Sequence, residues 1–265
     1  FESTGYKAVC YDTKSAEKVL YLTFDCGWEN GCTQKVLDTL KEKKVPAAFF
    51  CTLDHIRSSP ELISRMINEG HIVGNHSAKH PDFSEISRQR MADEILDCEN
   101  YLRENFGYSS RFFRFPKGSY TENALELVDS MGMTSVFWSC AYADWDVNNT
   151  KGGQYAFDTV TARLHPGAVI LLHSVSPDNA EALGNIIDCF FYGLIWPETV
   201  MPGAPFAFMF GQVVDMFYFP LFDYKLPWMD YPRTFFGAVF NFADSCVTCG
   251  AIYLLLFQYK YFSKE

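Results

Sequence analysis

Hydrophobic residues in the first 183 positions follow two alternating patterns. Short apolar runs are typical of buried strands, and apolar residues three or four positions apart are typical of helices. Residues 19–24 form a run of the first kind that ends at Asp25, whereas Val36, Leu37 and Leu40 follow helical spacing. Repetition of these patterns along the chain predicts an α/β fold with a parallel sheet or barrel.

The other predicted elements continue the alternation. Ser59-Pro60-Glu61 opens a helix with proline in its first turn, and Gly70 ends that helix. We predict strands at 19–24, 46–51, 72–74, 111–115, 135–140 and 168–173, and further helices at about 33–43, 84–105, 122–131 and 155–164.

Reactive side chains fall where predicted strands end. Asp25, His76, Arg114 and His173 occupy such positions, and active sites of parallel barrels lie at the carboxyl ends of their strands. His76 and His80 are four residues apart, which on a helical turn places both rings on one face, as in many divalent-metal sites. A histidine pair with this spacing can also be an ordinary surface or core feature.

Each of the other residues has a functional and a structural interpretation. Asp25 can act as a general base or cap the turn at Gly27. His173 can donate a proton or be a core histidine, and Arg114 can pair with a buried carboxylate or simply precede a turn.

Composition changes near Gly184. Residues 184–265 hold 4 of the 22 basic and 7 of the 32 acidic residues, but 14 of the 25 phenylalanines. Asp244 is the only charge between 234 and 259, a length that could cross a bilayer as a helix. Lys260 and Lys264 follow, which favours a cytoplasmic C-terminus and an outside location for residues 1–183. A buried hairpin is the alternative.

The net charge and the cysteine content argue against two classes of protein, nucleic-acid-binding proteins and disulfide scaffolds. The net charge of −10 gives no support for nucleic-acid partners. The nine cysteines show no regular spacing, which argues against a disulfide scaffold. No signal-peptide pattern is visible after Phe1, so the N-terminus does not indicate a compartment.

Five motifs in order resemble the polysaccharide deacetylase family with the NodB homology domain, carbohydrate esterase family 4. They are Thr23-Phe-Asp-Cys-Gly27, His76-Ser-Ala-Lys-His80, Arg114-Phe-Pro-Lys-Gly118, Asp144-Trp145 and Leu171-Leu-His173. The resemblance covers residues 10–183 and implies a distorted (β/α) barrel, usually of seven strands. Gly70-His-Ile-Val-Gly-Asn-His76 and Asp178-Asn-Ala-Glu-Ala-Leu183 further resemble the muramic-acid deacetylases that act in δ-lactam formation in spore cortex.

The resemblance implies metal-dependent hydrolytic de-N-acetylation of peptidoglycan. His76 and His80 would bind a divalent metal, with zinc expected. Asp25 would take a proton from water, and His173 would protonate the leaving amine. Arg114 would orient Asp25, and Asp144 would tune His173. The implied substrate-binding positions are Pro116, Tyr120 and Trp145.

Cys26 departs from the family pattern. This position is usually a second aspartate that binds the metal. A thiolate can bind zinc in its place, which makes Cys26 a candidate third ligand. Alternatively, Cys26 does not bind, as with the asparagine typical of the muramic branch.

The tail resembles the C-terminal part of lipoprotein signal peptidase, signal peptidase II. Gly211-Gln-Val-Val-Asp215 and Phe240-Asn-Phe-Ala-Asp244 carry this resemblance, which implies an aspartate dyad of Asp215 and Asp244. We predict a deacetylase domain at 1–183, incomplete at its C-terminal edge, and an aromatic-rich, mostly helical, membrane-like tail at 184–265.

Three hypotheses follow. The chain is an extracytoplasmic enzyme of the cell envelope that acts on the peptidoglycan glycan strand and is tethered to the membrane by its tail. Alternatively, it is a fragment of a membrane aspartic peptidase that uses Asp215 and Asp244, or an inactive chimera.

Overall fold

The computed structural model describes residues 5–13, 19–195 and four short strands in the tail. The chain divides into two compact units, Phe1–Phe191 and Tyr192–Glu265. The first unit contains every element up to the last long helix.

Eight strands and seven α-helices are described between Ala8 and Ile195. The strands are β1 (Ala8–Val9), β2 (Tyr21–Cys26), β3 (Ala48–Cys51), β4 (Ile72–Asn75), β5 (Phe112–Phe113), β6 (Thr134–Val136), β7 (Cys140–Ala141) and β8 (Val169–His173). The helices are α1 (Cys32–Lys43), α2 (Leu53–Ser58), α3 (Pro60–Asn68), α4 (Arg88–Phe106), α5 (Glu122–Ser130), α6 (Gly153–Thr161) and α7 (Pro177–Ile195).

The strands form one sheet in the order β1-β6-β5-β4-β3-β2-β8-β7. Every pairing between them is parallel. β6 and β7 lie near opposite ends of this order, yet only residues 137–139 separate them in the chain. The sheet therefore curls until its two edges approach each other. This curled parallel sheet confirms the predicted α/β class and is consistent with an open NodB-type barrel.

Local signals explain several element boundaries. The side chains of Thr52, Ser87 and Thr121 cap α2, α4 and α5 by accepting a backbone N–H three residues ahead. Gly107 ends α4 with φ at 62°, a left-handed conformation that glycine adopts without a steric penalty. These local contacts fix where α2, α4 and α5 begin and where α4 ends.

Some predicted boundaries are wrong. The predicted strand 135–140 is two strands, because the chain leaves β6 and joins β8 on the other edge through β7. The predicted strand 111–115 keeps only Phe112–Phe113 in the ladder. The helix predicted at 84–105 begins at Arg88, after the Ser87 cap. β1 and α2 were not predicted.

Beyond α7, the described residues of the tail form strands. α7 runs across 183/184, where the two family resemblances meet, and the first compact unit ends at Phe191. In the tail, β9 (Met216–Tyr218) pairs with β12 (Val239–Asn241), and β10 (Phe222–Tyr224) pairs with β11 (Arg233–Phe235), both antiparallel. A helical conformation is therefore wrong for these residues. Among the helices that the structure describes, none combines the length and apolarity needed to span a membrane.

Candidate active site

A buried ion pair forms the floor of the site. Asp25 lies on β2 and Arg114 directly after β5, and Nη1 of Arg114 donates to Oδ1 of Asp25 at 2.8 Å. Arg114 is completely buried; its Nε and Nη2 donate to the carbonyls of Val136 and Phe137. Its guanidinium also lies 4.1 Å from the ring centroid of Phe50, a cation–π contact.

This pair depends on the curvature of the sheet. β4 and β3 lie between β5 and β2, so on a flat sheet the two strands would be roughly 14 Å apart. That separation exceeds the reach of an arginine side chain. The contact between Arg114 and Asp25 therefore crosses the concave interior of the barrel.

The charge state of Asp25 follows from its neighbours. Burial by itself raises the pKa of this carboxyl, but the positive charge of Arg114, with His76 and His173, outweighs burial and lowers it. Asp25 is therefore an ionised carboxylate at neutral pH.

His76 follows β4 and faces Asp25. Its Nδ1–H donates to the carbonyl of Arg114 at 2.8 Å, and its Nε2 lies 3.5 Å from Oδ2 of Asp25. Burial lowers the pKa of His76 to about 4. The imidazole is therefore neutral at physiological pH, with its Nε2 lone pair directed into the site.

His80 lies in the same turn, with its ring centroid 4.8 Å from that of His76. Ser77 and His80 both have positive φ, at 68° and 56°, a conformation that non-glycine residues hold at functional sites when the surroundings enforce it. Three hydrogen bonds hold this conformation. The Ser77 amide donates to Oδ1 of Asn75, the His80 amide donates to Oγ of Ser77, and the Lys79 amide donates to Oε2 of Glu94.

His173 closes β8 beside Asp25, with which it pairs in register. Its Nδ1 is 2.7 Å from Oδ1 of Asp144, and its amide donates to Oδ2 of the same carboxylate. Nδ2 of Asn179 also donates to Asp144. Burial lowers the pKa of His173, but hydrogen bonding and charge from Asp144 outweigh burial and raise it.

The donor set fits a divalent metal. The Nδ1 bond to a carbonyl fixes the His76 tautomer that leaves Nε2 free to coordinate, an arrangement common for metal-binding histidines. A second imidazole, His80, and the Asp25 carboxylate lie beside it. His76 and His80 could therefore hold the ion.

Cys26 lies apart from this pair. Asp25 and Cys26 are successive residues on β2, so their side chains point to opposite faces. The thiol of Cys26 lies with Cys51 and His55, and the ligand atoms of these three are within 4.8 Å of one another. Among the described residues this is the one such set of three, and it contains neither His76 nor His80. Cys26, the candidate third ligand, therefore lies away from His76 and His80.

The three predicted substrate-binding residues differ in their exposure to solvent. Trp145 is 59% exposed, with its ring 5.9 Å from that of His173. Tyr120 is also exposed and packs on Phe137, whereas Pro116 is buried in a short 3-10 turn. A cavity of ≈ 1280 Å³ opens at the other, amino-terminal end of the strands and contains none of the residues proposed for chemistry.

Several supporting residues were not identified from the sequence. Asn179 holds Asp144, Asn75 holds the Ser77 turn, and Phe50 lies under Arg114. Asn179 stands in the Asp178-Asn-Ala segment that already carries a resemblance, and this is the one sequence signal for it. Asp215 and Asp244 lie outside the described residues.

Comparisons with known proteins agree with this geometry. Residues 12–136 match the family model for polysaccharide deacetylase, and residues 179–260 match that for signal peptidase (SPase) II. The chain is 44% identical over 178 residues to the peptidoglycan-N-acetylmuramic acid deacetylase PdaA of Bacillus subtilis, covering 67% of this chain and 68% of PdaA. It is 45% identical over 173 residues to an uncharacterized 30.6 kDa protein of Geobacillus stearothermophilus, covering 65% of each.

A solved structure gives the same result. The structure of Bacillus subtilis PdaA, a family 4 carbohydrate esterase, superposes with a TM-score of 0.66 at 43% identity, covering 69% of this chain and 80% of that one. The matched part of the chain spans about two thirds of the length of the two curated relatives. Through its NodB homology domain, the chain belongs to the polysaccharide deacetylase family, carbohydrate esterase family 4.

Proposed function

We propose that the first compact unit hydrolyses the N-acetyl group of a peptidoglycan amino sugar in the cell envelope, and that the sugar is N-acetylmuramic acid. The observation that carries the proposal is the convergence of Asp25 and His173 on neighbouring strands, with His76 and His80 beside them. The name of one relative, the peptidoglycan-N-acetylmuramic acid deacetylase PdaA, supports peptidoglycan as the substrate.

The two titratable groups are suited to opposite roles. The pKa of Asp25 is lowered and that of His173 is raised. Between these two values Asp25 is ionised and His173 is protonated, which is the pattern of a general base paired with a general acid.

The chemistry then balances as amide hydrolysis. Asp25 takes a proton from the attacking water, whose oxygen bonds to the acetyl carbon. The C–N bond breaks, and His173 gives a proton to the departing amine, so that acetate and a free amino sugar leave. Asp144 accepts the Nδ1–H of His173 and so keeps the other nitrogen directed at the substrate.

A divalent metal fits His76 and His80, and when bound it would supply Lewis-acid activation of the water and the amide carbonyl. Zinc is the proposed ion, because neutral imidazoles suit it. The position of Cys26 with Cys51 and His55 supports the alternative in which this thiol does not bind the catalytic ion.

Acetate release from purified peptidoglycan tests the proposal. The chain with added zinc should release acetate, and mass spectrometry of the products should locate the lost acetyl group on muramic acid rather than glucosamine. Intact and peptide-stripped glycan are compared to show whether the stem peptide must be absent. Release from neither substrate would contradict the proposal.

A matched pair of variants locates the activity. His80→Ala should abolish acetate release, because it removes a proposed metal ligand. Lys79→Ala, in the same turn, loses an exposed ion pair with Asp54 but keeps the backbone, so it should retain activity. Equal activity in the two variants would exclude His80 from the site.

A second candidate function rests on the family-model match to residues 179–260. This candidate is a peptidase that acts at a membrane contacted through the tail. The chain should then cleave a lipoprotein precursor, and Asp244→Asn should block the cleavage whereas His80→Ala should not. The absence of cleavage by the full chain in lipid vesicles would eliminate this candidate.

A further inference from the structure

Three potential metal ligands meet behind the candidate active site, on the opposite face of β2. Cys26 ends β2, Cys51 ends β3, and the two residues are partners in the parallel ladder. His55 lies in the first turn of α2, which begins directly after β3 at the Thr52 cap. One ligand atom from each residue lies within 4.8 Å of the other two.

The burial of His55 is a second observation that points to a bound ligand at this cluster. Its exposed fraction is 1%, and neither Nδ1 nor Nε2 makes a hydrogen bond of ordinary geometry. A buried polar group without a partner is destabilising, and an imidazole always carries at least one N–H and a second N–H or lone pair. The backbone of Trp28 acts on the ring and raises its pKa, but it can serve only one of the two nitrogens. At least one buried ring nitrogen is therefore left for a ligand.

We propose that Cys26, Cys51 and His55 bind a second metal ion of the zinc class, separate from the ion at His76 and His80. Two thiolates and one imidazole are the ligand types of tetrahedral zinc sites, whereas hard cations such as magnesium and calcium prefer oxygen. A cation coordinated by His55 would use the ring nitrogen that is left for a ligand and stabilise the buried ring.

The spacing requires only small adjustments. Ligand atoms around tetrahedral zinc, with bonds of about 2.0–2.3 Å, stand roughly 3.5 Å apart. Atoms already within 4.8 Å of one another reach that separation by side-chain rotation. Oε2 of Glu29 is also buried without a hydrogen-bond partner, and the charge of this carboxylate acts on His55, so Glu29 is the candidate for the fourth position.

Charge and protons balance on binding. Two thiols release their S–H protons to solvent, two sulfur–metal bonds form, and the dication is neutralised by the two thiolates. No redox partner is required. The ion would join the ends of β2 and β3 to α2, immediately behind Asp25.

Cobalt(II) substitution of the full chain tests the site without measuring activity. The reduced, metal-free protein is titrated with Co²⁺, which reports thiolate ligands through a near-ultraviolet charge-transfer band. We expect the band in the unmodified chain and in His80→Ala. Cys51→Ser should lose it, and His55→Phe should lose it or weaken Co²⁺ binding at least tenfold.

Cys98→Ser is the matched control. Cys98 is a buried neighbour whose thiol donates to the carbonyl of Cys51 at 3.8 Å, but its sulfur lies outside the three-ligand set. This variant should keep the band. Total bound cobalt should fall by one equivalent in Cys51→Ser relative to Cys98→Ser.

Three outcomes would overturn the proposal. The first is the absence of a thiolate band in the unmodified chain, which decides the question even if a variant fails to fold. The second is a band lost in His80→Ala but kept in His55→Phe, which would assign Cys26 to the other ion. The third is a Cys26–Cys51 disulfide in protein isolated without reductant, found by peptide mass mapping.

Discussion

Replacement of Arg114 tests the electrostatic basis of the site most directly. Arg114→Met removes the main counter-charge of Asp25, which is 93% buried, and the donor to the carbonyls of Val136 and Phe137. Breaking one partner of a buried ion pair costs about 3–5 kcal/mol, since the remaining charge is left uncompensated. For a unit of this size, each kcal/mol lowers the Tm by about 2–4 °C. We therefore expect a fall of roughly 6–20 °C.

A double variant separates the effect of the lost charge from the effect of the lost side-chain packing. Arg114→Met combined with Asp25→Asn removes both charges, so the double variant should be about 2 kcal/mol more stable than Arg114→Met alone. Arg114→Lys keeps a positive charge but not the planar group that serves three acceptors, and should fall between wild type and Arg114→Met. Thermal unfolding is followed by near-UV circular dichroism in the presence of a chelator, so that no bound ion contributes.

The pH dependence has a defined sign. The pKa of Asp25 is lowered in the folded state, so its stabilising contribution is present above the unfolded pKa and is lost as pH falls through the folded one. The difference between wild type and Arg114→Met should therefore shrink on acidification, because a protonated Asp25 no longer needs a counter-charge. A constant difference, or a double variant less stable than Arg114→Met, would refute the ion-pair interpretation.

Three other predictions follow from the same structure. Asp144→Asn should reduce the acetate-release rate by roughly 10²–10⁴-fold. It should also move the basic limb of the pH–rate profile to lower pH, because the pKa of His173 is no longer raised by that carboxylate. If the basic limb does not move, the titration of His173 does not produce it. Gly74→Ala should destabilise the unit by about 1–3 kcal/mol, because a Cβ there would overlap the Phe50 ring, whereas Gly27→Ala meets no atom and serves as the control in urea titration. Chelation should abolish acetate release and added zinc should restore it; full activity in chelator would contradict the metal assignment.

The sequence predicts best those features that depend on short-range pattern. Asp25, His76 and His173 lie at or next to the ends of β2, β4 and β8 because apolar runs stop there, and parallel topology brings such ends to one edge. The split between β6 and β7 was not predictable from pattern, because Phe137 and Trp138 continue the apolar run while the chain changes sheet edges.

Side-chain direction was less predictable than position. Cys26 is adjacent to Asp25 in the chain, yet the strand places the two side chains on opposite faces, and the partners Cys51 and His55 come from other elements. α2 has only six residues, too few to display a helical period. Its Thr52 cap is a signal that could have located it.

The anchoring of the histidine turn has a consequence for native-state fluctuations. Asn75 binds the Ser77 amide with one side-chain atom and the carbonyl of Ile95 with the other, and Glu94 holds the Lys79 amide. Ile95 and Glu94 both belong to α4, so the turn that carries His76 and His80 opens only when this helix loosens. In hydrogen exchange the turn and the helix would behave as one cooperative unit, so a surface helix sets how long the two imidazoles stay in place.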